Sequence, residues 1–177
     1  MPSQKKYKSF FDIPSFTPWS GYLVDVSWGH FLKHLDRYIT EHEAQLDPDF
    51  QRAHVWTEKQ QIAYVEFCLR AGQSGNILHW NCPGWMGDFR GPMVLVDGKQ
   101  RVQAITRFLT DEIPAFGQLR SEYKGNLIHI ATKFHVNKLA TRVQVLQWYL
   151  ELNDGGVVHT KDELNKVRKL LEQEKGK

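Results

Sequence analysis

Residues 94–109 read VLVDGKQRVQAITRFL, which predicts a strand, a glycine turn and a helix in immediate succession. After the turn at Gly98, apolar residues recur with the period of one helix face: Val102, Ile105, Phe108 and Leu109. The first turn of a helix carries backbone N–H groups without helical partners and lies at the positive end of the helix dipole, so it attracts anions. Gly98 lets an anion approach the backbone closely because it has no Cβ, and Arg101 adds a guanidinium group suited to phosphate oxygens. This stretch therefore predicts a phosphate site at the start of a helix.

The same stretch resembles a known family. Gly98, Arg101 and Ala104 fit the GxxRxxA phosphate box of ParB/sulfiredoxin-like proteins, and residues 97–101, DGKQR, are similar to the DGQQR signature of one branch. That branch forms the N-terminal domain of GmrSD-type restriction enzymes, which attack modified phage DNA. The resemblance implies that such a domain binds and hydrolyses nucleoside triphosphates. Lys99 departs from the signature, which has a glutamine at that position.

Two further segments resemble the same branch. Residues 48–56, PDFQRAHVW, are similar to its PxFQRxxxW motif. Residues 152–156, LNDGG, are similar to its late asparagine and double-glycine turn, and they precede His159, Thr160 and Glu163. The order and spacing match over residues 45–172. Three motifs in sequence are far more specific than GxxRxxA alone, which recurs by chance.

The resemblance implies three candidate catalytic residues: Asp97, Gln100 and Arg101. A triphosphate carries about four negative charges, so its site needs several donors and commonly a divalent cation held by oxygen ligands. Asp97 is the candidate to hold Mg²⁺ or to position a water. An alternative role of equal weight is that Asp97 caps the helix by accepting a bond from an N–H of its first turn.

The resemblance also implies a set of nucleotide-binding residues: Gln51, Arg52, Gly98, Lys99, Arg101 and Asn153. Asn153 has an alternative structural role, because an asparagine before two glycines suits the left-handed geometry of a helix C-terminus. Trp56 and Trp80 are open to base stacking or to burial in the core. A lysine at position 99 strengthens anion binding, whereas a glutamine would orient a water, so weakened hydrolysis with retained binding is a hypothesis. We expect Arg101→Ala to abolish nucleotide binding and to leave the fold intact.

The composition is that of an ordinary globular protein. Hydrophobic residues make up 41% and charged residues 24% of the 177 residues, which is one domain by size. No apolar run approaches a membrane span, and the lysine-bearing N-terminus does not resemble a signal peptide, so we expect a cytoplasmic protein without a membrane partner. Cys68 and Cys82 are then expected to be reduced. The net charge of +3 permits a DNA partner without requiring one.

The hydrophobic pattern predicts an α+β class, with a small mixed sheet flanked by helices in a ParB/sulfiredoxin-like arrangement. Residues 1–20, with three prolines, are expected to form an extended arm, and residues 21–177 a single domain. A first helix is expected after Ser27, with Phe31, Leu32, Leu35 and Ile39 on one face. A second is expected from a Thr57–Gln60 capping box to Gly72, a later one over 142–152, and a last one after a Thr160–Glu163 capping box. Strands are expected over 77–80, 93–96 and 127–130.

These observations predict a compact domain that binds a nucleoside triphosphate with Mg²⁺, hydrolyses it slowly, and controls a DNA or protein partner in restriction or phage–host conflict. A separate nuclease is one candidate partner. The first alternative is a non-catalytic DNA- or protein-binding module on the same fold, and the second is a minimal DNA nuclease. Sulfiredoxin chemistry is excluded because residues 98–101 contain no cysteine. His30 and His34 lack a third ligand and are expected to be a surface pair rather than a metal site.

Overall fold

A computed structural model describes residues 7–9, 21–51, 55–85, 87, 92–154 and 161–176. In these ranges the chain is α+β, as predicted, with a four-stranded sheet and five α-helices. The strands are β1 (Tyr22–Ser27), β2 (Ile77–Asn81), β3 (Val94–Asp97) and β4 (Ala131–Asn137). The helices are α1 (Phe31–His42), α2 (Glu58–Leu69), α3 (Lys99–Leu109), α4 (Arg142–Asp154) and α5 (Lys161–Lys175).

The sheet is mixed, with the strand order β1-β4-β2-β3. Strand β4 runs antiparallel to β1 and parallel to β2, and β2 runs antiparallel to β3. Because side chains alternate between the two faces of a strand, each face of the sheet covers a separate core. Leu95 and Val96, adjacent on β3, are both fully buried but belong to different cores. The larger core lies against α1, α2 and α3, and the smaller one against α4 and α5.

Local capping fixes the start of α2 as the sequence predicts. Thr57 and Gln60 form the reciprocal capping box that starts α2. This helix ends at Leu69, and the left-handed position after it falls on Ala71, with φ of 60°, rather than on Gly72. Gly72 instead lies against Phe67, and a Cβ there would lie 2.4 Å from the ring unless this exposed side chain moved.

Two of the strands were not predicted correctly. The predicted strand over 127–130 is wrong: the strand is β4, beginning at Ala131, and it pairs with both β1 and β2. Its buried positions alternate (Thr132, Phe134, Val136), but the intervening Lys133 and His135 obscure the apolar pattern. Strand β1 was missed because it is an edge strand with only Val26 buried.

Other expectations have mixed outcomes. Ile39 was expected on the buried face of α1, but it is 44% exposed, and Tyr38 is buried instead. The arm predicted over residues 1–20 and the capping box at Thr160 lie almost entirely outside the described residues. Within the described part of the chain, no helix has the length and apolar character needed to span a membrane.

Candidate functional site

The turn between β3 and α3 forms as the sequence predicts. Gly98 is the N-cap of α3, with φ of 112°, a conformation that favours glycine. A Cβ at this position would meet the Cδ2 of Leu78 at 2.5 Å, so the tight approach of the turn to β2 also requires glycine. Gly98 has no side chain to cap the amides of the first helical turn, and its carbonyl oxygen accepts the bond from the Val102 N–H at 2.9 Å. The N-terminus of α3 therefore begins at a glycine that supplies no side-chain cap.

A cavity of about 90 Å³ lies at this turn. It is lined by Gln51, Trp56, Asp97, Gly98, Lys99, Gln100, Arg101 and Tyr149. Six of these eight were predicted as catalytic or nucleotide-binding residues from the sequence. Sites for whole drug-sized ligands occupy several hundred Å³, so this cavity has room for a phosphate group rather than for a whole nucleotide.

Arg101 is held by protein acceptors on three sides. Its guanidinium group donates to Oδ2 of Asp97 at 2.5 Å, to the carbonyl oxygen of Gly75 at 3.1 Å, and to the carbonyl oxygen of Ile77. These bonds tie the start of α3 to the start of β2, and the side chain is only 17% exposed. The expectation that Arg101 serves the ligand alone, with no part in the fold, is therefore wrong. A guanidinium group has five N–H donors, and these contacts account for three of them.

Asp97 is an ionised carboxylate that contacts the side chains of Arg101 and His79. Its Oδ2 accepts the bond from Arg101 and lies 3.6 Å from Nδ1 of His79. Burial raises the pKa of Asp97, but its interactions with His79 and Arg101 outweigh burial and lower this pKa to about 2. The capping alternative is not supported, because Gly98 is the N-cap and the described contacts of the carboxylate are with Arg101 and His79.

Lys99 and Gln51 line the cavity while bonded to other parts of the chain. The ammonium group of Lys99 pairs with Oδ1 of Asp47, whose side chain is 71% exposed. Gln51 donates from Nε2 to the carbonyl oxygen of Leu95 at 2.5 Å, which fixes the segment before α2 against β3. Both residues are therefore placed at the cavity, as the resemblance implies. Arg52 lies outside the described residues.

Gln100 has a structural role at the cavity wall. Its Oε1 accepts bonds from the backbone N–H groups of Val55 at 3.1 Å and Trp56 at 3.0 Å, and the residue is 8% exposed. An amide oxygen that already accepts two bonds is not available to orient a water. Gln100 thus holds Trp56 against the cavity through its amide oxygen, and its catalytic role stays a prediction.

Two histidines next to Asp97 in the sheet were not predicted as part of the site: His79, which faces Asp97, and His135, which faces His79. The sheet register places His79 opposite Asp97 on β3 and opposite His135 on β4. The rings of His79 and His135 are 5.3 Å apart, and each lies 5.7 Å from Trp148 of α4. Burial, followed by the charge of His79, lowers the pKa of His135. No local sequence pattern indicates that Asp97, His79 and His135 are neighbours, because this depends on the register of β2 against β3 and β4.

The remaining predictions concern packing. Asn153 is not among the described residues that line the cavity. It lies inside α4 without a positive φ, so the left-handed role is not seen either, and its amide donates to the carbonyl oxygen of Tyr149 at 2.7 Å. Trp80 is fully buried in the larger core, whereas Trp56 lines the cavity. Cys68 and Cys82 are both buried, and no disulfide joins them.

Comparison with known proteins gives no match: no protein-family model, curated protein or solved structure corresponds to this chain. The resemblance to the ParB-like branch therefore rests on the three sequence motifs. The structure adds that the DGKQR motif and Gln51 of the second motif meet at one cavity.

Proposed function

We propose that the chain is a nucleoside-triphosphate-binding domain that hydrolyses its ligand slowly and uses the nucleotide state to control a DNA or protein partner. One observation carries the proposal: the N-terminus of α3 opens into a cavity that is also lined by Lys99, Arg101 and Gln51. Helix amides and cationic side chains around a space of this size favour a phosphate group as the ligand. The resemblance to DGQQR-type domains supports a nucleotide as its source.

The two cations differ in how they can serve a phosphate. Lys99 is 18% exposed, but its partner Asp47 is 71% exposed, so water can solvate the Asp47 carboxylate when a phosphate oxygen replaces it. Arg101 is different because its pair with Asp97 is largely buried. We therefore expect Arg101 to keep its protein contacts and to offer its remaining N–H groups. Lys99 is therefore the cation that exchanges its protein partner for the phosphate.

A magnesium ion fits this site only together with the phosphates. Among the described residues, no group of three or more His, Cys, Asp or Glu side chains is arranged to hold a metal. Mg²⁺ is commonly bound by one or two carboxylates together with substrate phosphates, and Asp97 supplies one ionised carboxylate at the cavity. When bound, Mg²⁺ would neutralise part of the phosphate charge. Asp97 is the residue that would hold it.

Slow hydrolysis follows from the groups around the cavity. A general base is most effective when its pKa lies near the working pH, and the pKa of Asp97 is about 2. The amide oxygen of Gln100 is engaged by two backbone N–H groups, and position 99 holds a lysine. The cavity thus favours binding over activation of a water.

The pairing of both cations also supports the second candidate, a non-catalytic DNA- or protein-binding module. In that case the Arg101–Asp97 and Lys99–Asp47 pairs stabilise the fold, and the chain acts by binding DNA or a protein without catalysis. Hydrolysis separates the two candidates, because only the first predicts any release of phosphate.

The test is phosphate release from an equimolar mixture of ATP, GTP, CTP and UTP with Mg²⁺, measured with and without double-stranded DNA. We expect slow release by the wild-type protein and faster release with weaker binding by Lys99→Gln. Lys124→Gln, at an exposed position away from the cavity lining, is the matched control. Absence of release under every condition would favour the non-catalytic module.

A further inference from the structure

His79 approaches Asp97 from the side of the sheet. Its Nδ1 is buried and makes no hydrogen bond with the described residues, and it lies 3.6 Å from Oδ2 of Asp97. This distance is too long for a hydrogen bond but short enough for electrostatic attraction. A neutral imidazole carries its proton on one nitrogen and a lone pair on the other. A lone pair facing an ionised carboxylate would be repelled, so the geometry requires the proton on Nδ1.

The other side of the His79 ring is enclosed. His135 and Trp148 both meet it edge to face, with ring-plane angles of 68° and 82°. Trp148 is 4% exposed, so α4 covers the two imidazoles. The ring of His79 is therefore locked by packing, which is what a residue needs in order to orient another.

Both described contacts of the Asp97 carboxylate fall on the same oxygen. Arg101 donates to Oδ2, and His79 faces Oδ2 as well. The described residues place no contact on Oδ1, although Asp97 lines the cavity. The carboxylate is thus held by one oxygen and presents the other. An anionic oxygen does not attract phosphate, so the group that suits Oδ1 is a water or a cation bound with the phosphates.

We propose that His79 is a positioning residue: with its proton on Nδ1, it fixes the Asp97 carboxylate from the sheet side, so that Oδ1 is directed at a water or cation accompanying the phosphates. The role in hydrolysis rests on the proposed function. The contact between His79 and Asp97 does not depend on the proposed function, because it is present in the fold without any ligand. The two parts are therefore tested by separate measurements.

The contact is tested by nitrogen-15 NMR of the histidine rings in the wild-type protein and in Asp97→Asn. We expect His79 to show the tautomer protonated on Nδ1, and its ring signals to change in Asp97→Asn, while those of the exposed His30 stay in place. A neutral His79 ring protonated on Nε2 alone, or a ring unaffected by Asp97→Asn, would overturn the inference whether or not the protein binds nucleotides.

The positioning role is tested with two substitutions of His79. His79→Asn keeps an amide donor near the place of Nδ1, whereas His79→Leu removes it. Outer-shell partners of this kind commonly change activity 10- to 100-fold, so we expect His79→Leu to lower kcat for the nucleotide mixture about tenfold with KM unchanged, and His79→Asn to restore most of the loss. His30→Leu, at an exposed position preceding α1, is the control. Equal losses in the Leu and Asn variants would show a purely structural role and refute the proposal. Absence of hydrolysis in the wild type would instead refute the proposed function.

Discussion

Removing the Arg101 guanidinium group should destabilise the fold as well as weaken the proposed phosphate binding. In Arg101→Ala, the carbonyl oxygens of Gly75 and Ile77 lose a charged donor, and Asp97 loses its closest partner. A hydrogen bond that involves a charged group contributes about 1.5–3 kcal/mol, and a carboxylate left buried without its partner adds to the cost. Because Asp97 is one-third exposed and keeps His79, we expect a total loss of about 3 kcal/mol in the free energy of unfolding.

The assay is equilibrium unfolding in urea, in which a lower midpoint with an unchanged slope reports a loss of stability. For a chain of this length, a loss of about 3 kcal/mol corresponds to a decrease in Tm of roughly 6–12 °C. Arg37→Ala is the matched control, because Arg37 forms an ion pair with Glu41 at the same i, i+4 spacing but on the surface, and we expect its midpoint to stay unchanged. A midpoint for Arg101→Ala that equals that of Arg37→Ala would refute the structural role of Arg101.

Three further predictions concern the same turn. Gly98→Ala should destabilise the fold more than Gly125→Ala in urea unfolding: both glycines have positive φ, but only the first Cβ would meet another side chain. Equal losses would show that the close approach to Leu78 does not matter. Gln100→Leu should cost about 1–3 kcal/mol, because two backbone N–H groups lose their acceptor, and it should weaken nucleotide affinity in calorimetry. Unchanged stability would contradict this role. Folding lowers the pKa of Asp97 to about 2, below its unfolded value near 4, so this carboxylate stabilises the fold above about pH 4 and the contribution is lost as the pH falls towards 2. When the pH is lowered from 6 to 2, the free energy of unfolding in urea should therefore decrease less for Asp97→Asn than for the wild type. Equal decreases in the two proteins would refute this assignment.

The turn at Gly98 could be predicted from sequence because its causes are local. The strand before Asp97, the left-handed glycine at Gly98 and the apolar face of α3 all lie within one continuous stretch. Local capping residues placed the start of α2 for the same reason. Patterns of this kind depend on neighbours along the chain, so sequence alone was sufficient.

The partners of the site residues could not be predicted because they depend on the sheet register. Arg101 reaches the start of β2, and His79 meets Asp97 and His135 only because β2 lies between β3 and β4. A shift of one residue in a strand would move each side chain to the opposite face, and no local pattern in this chain fixes that register. The polar residues of β4 also concealed the strand itself. The sequence therefore indicated six of the eight residues that line the cavity, but not Tyr149, and not which of the six are engaged by the fold.

The most direct test of the central claim is a calorimetric titration of the purified protein with ATP, GTP, CTP and UTP in the presence of Mg²⁺. The account predicts that at least one nucleotide binds and that inorganic phosphate competes with it, because the phosphate end occupies the cavity at Gly98. Lys99→Gln should weaken this binding, and Lys124→Gln should leave it unchanged. No heat of binding with any of the four nucleotides, from a protein that unfolds cooperatively in urea, would contradict the account.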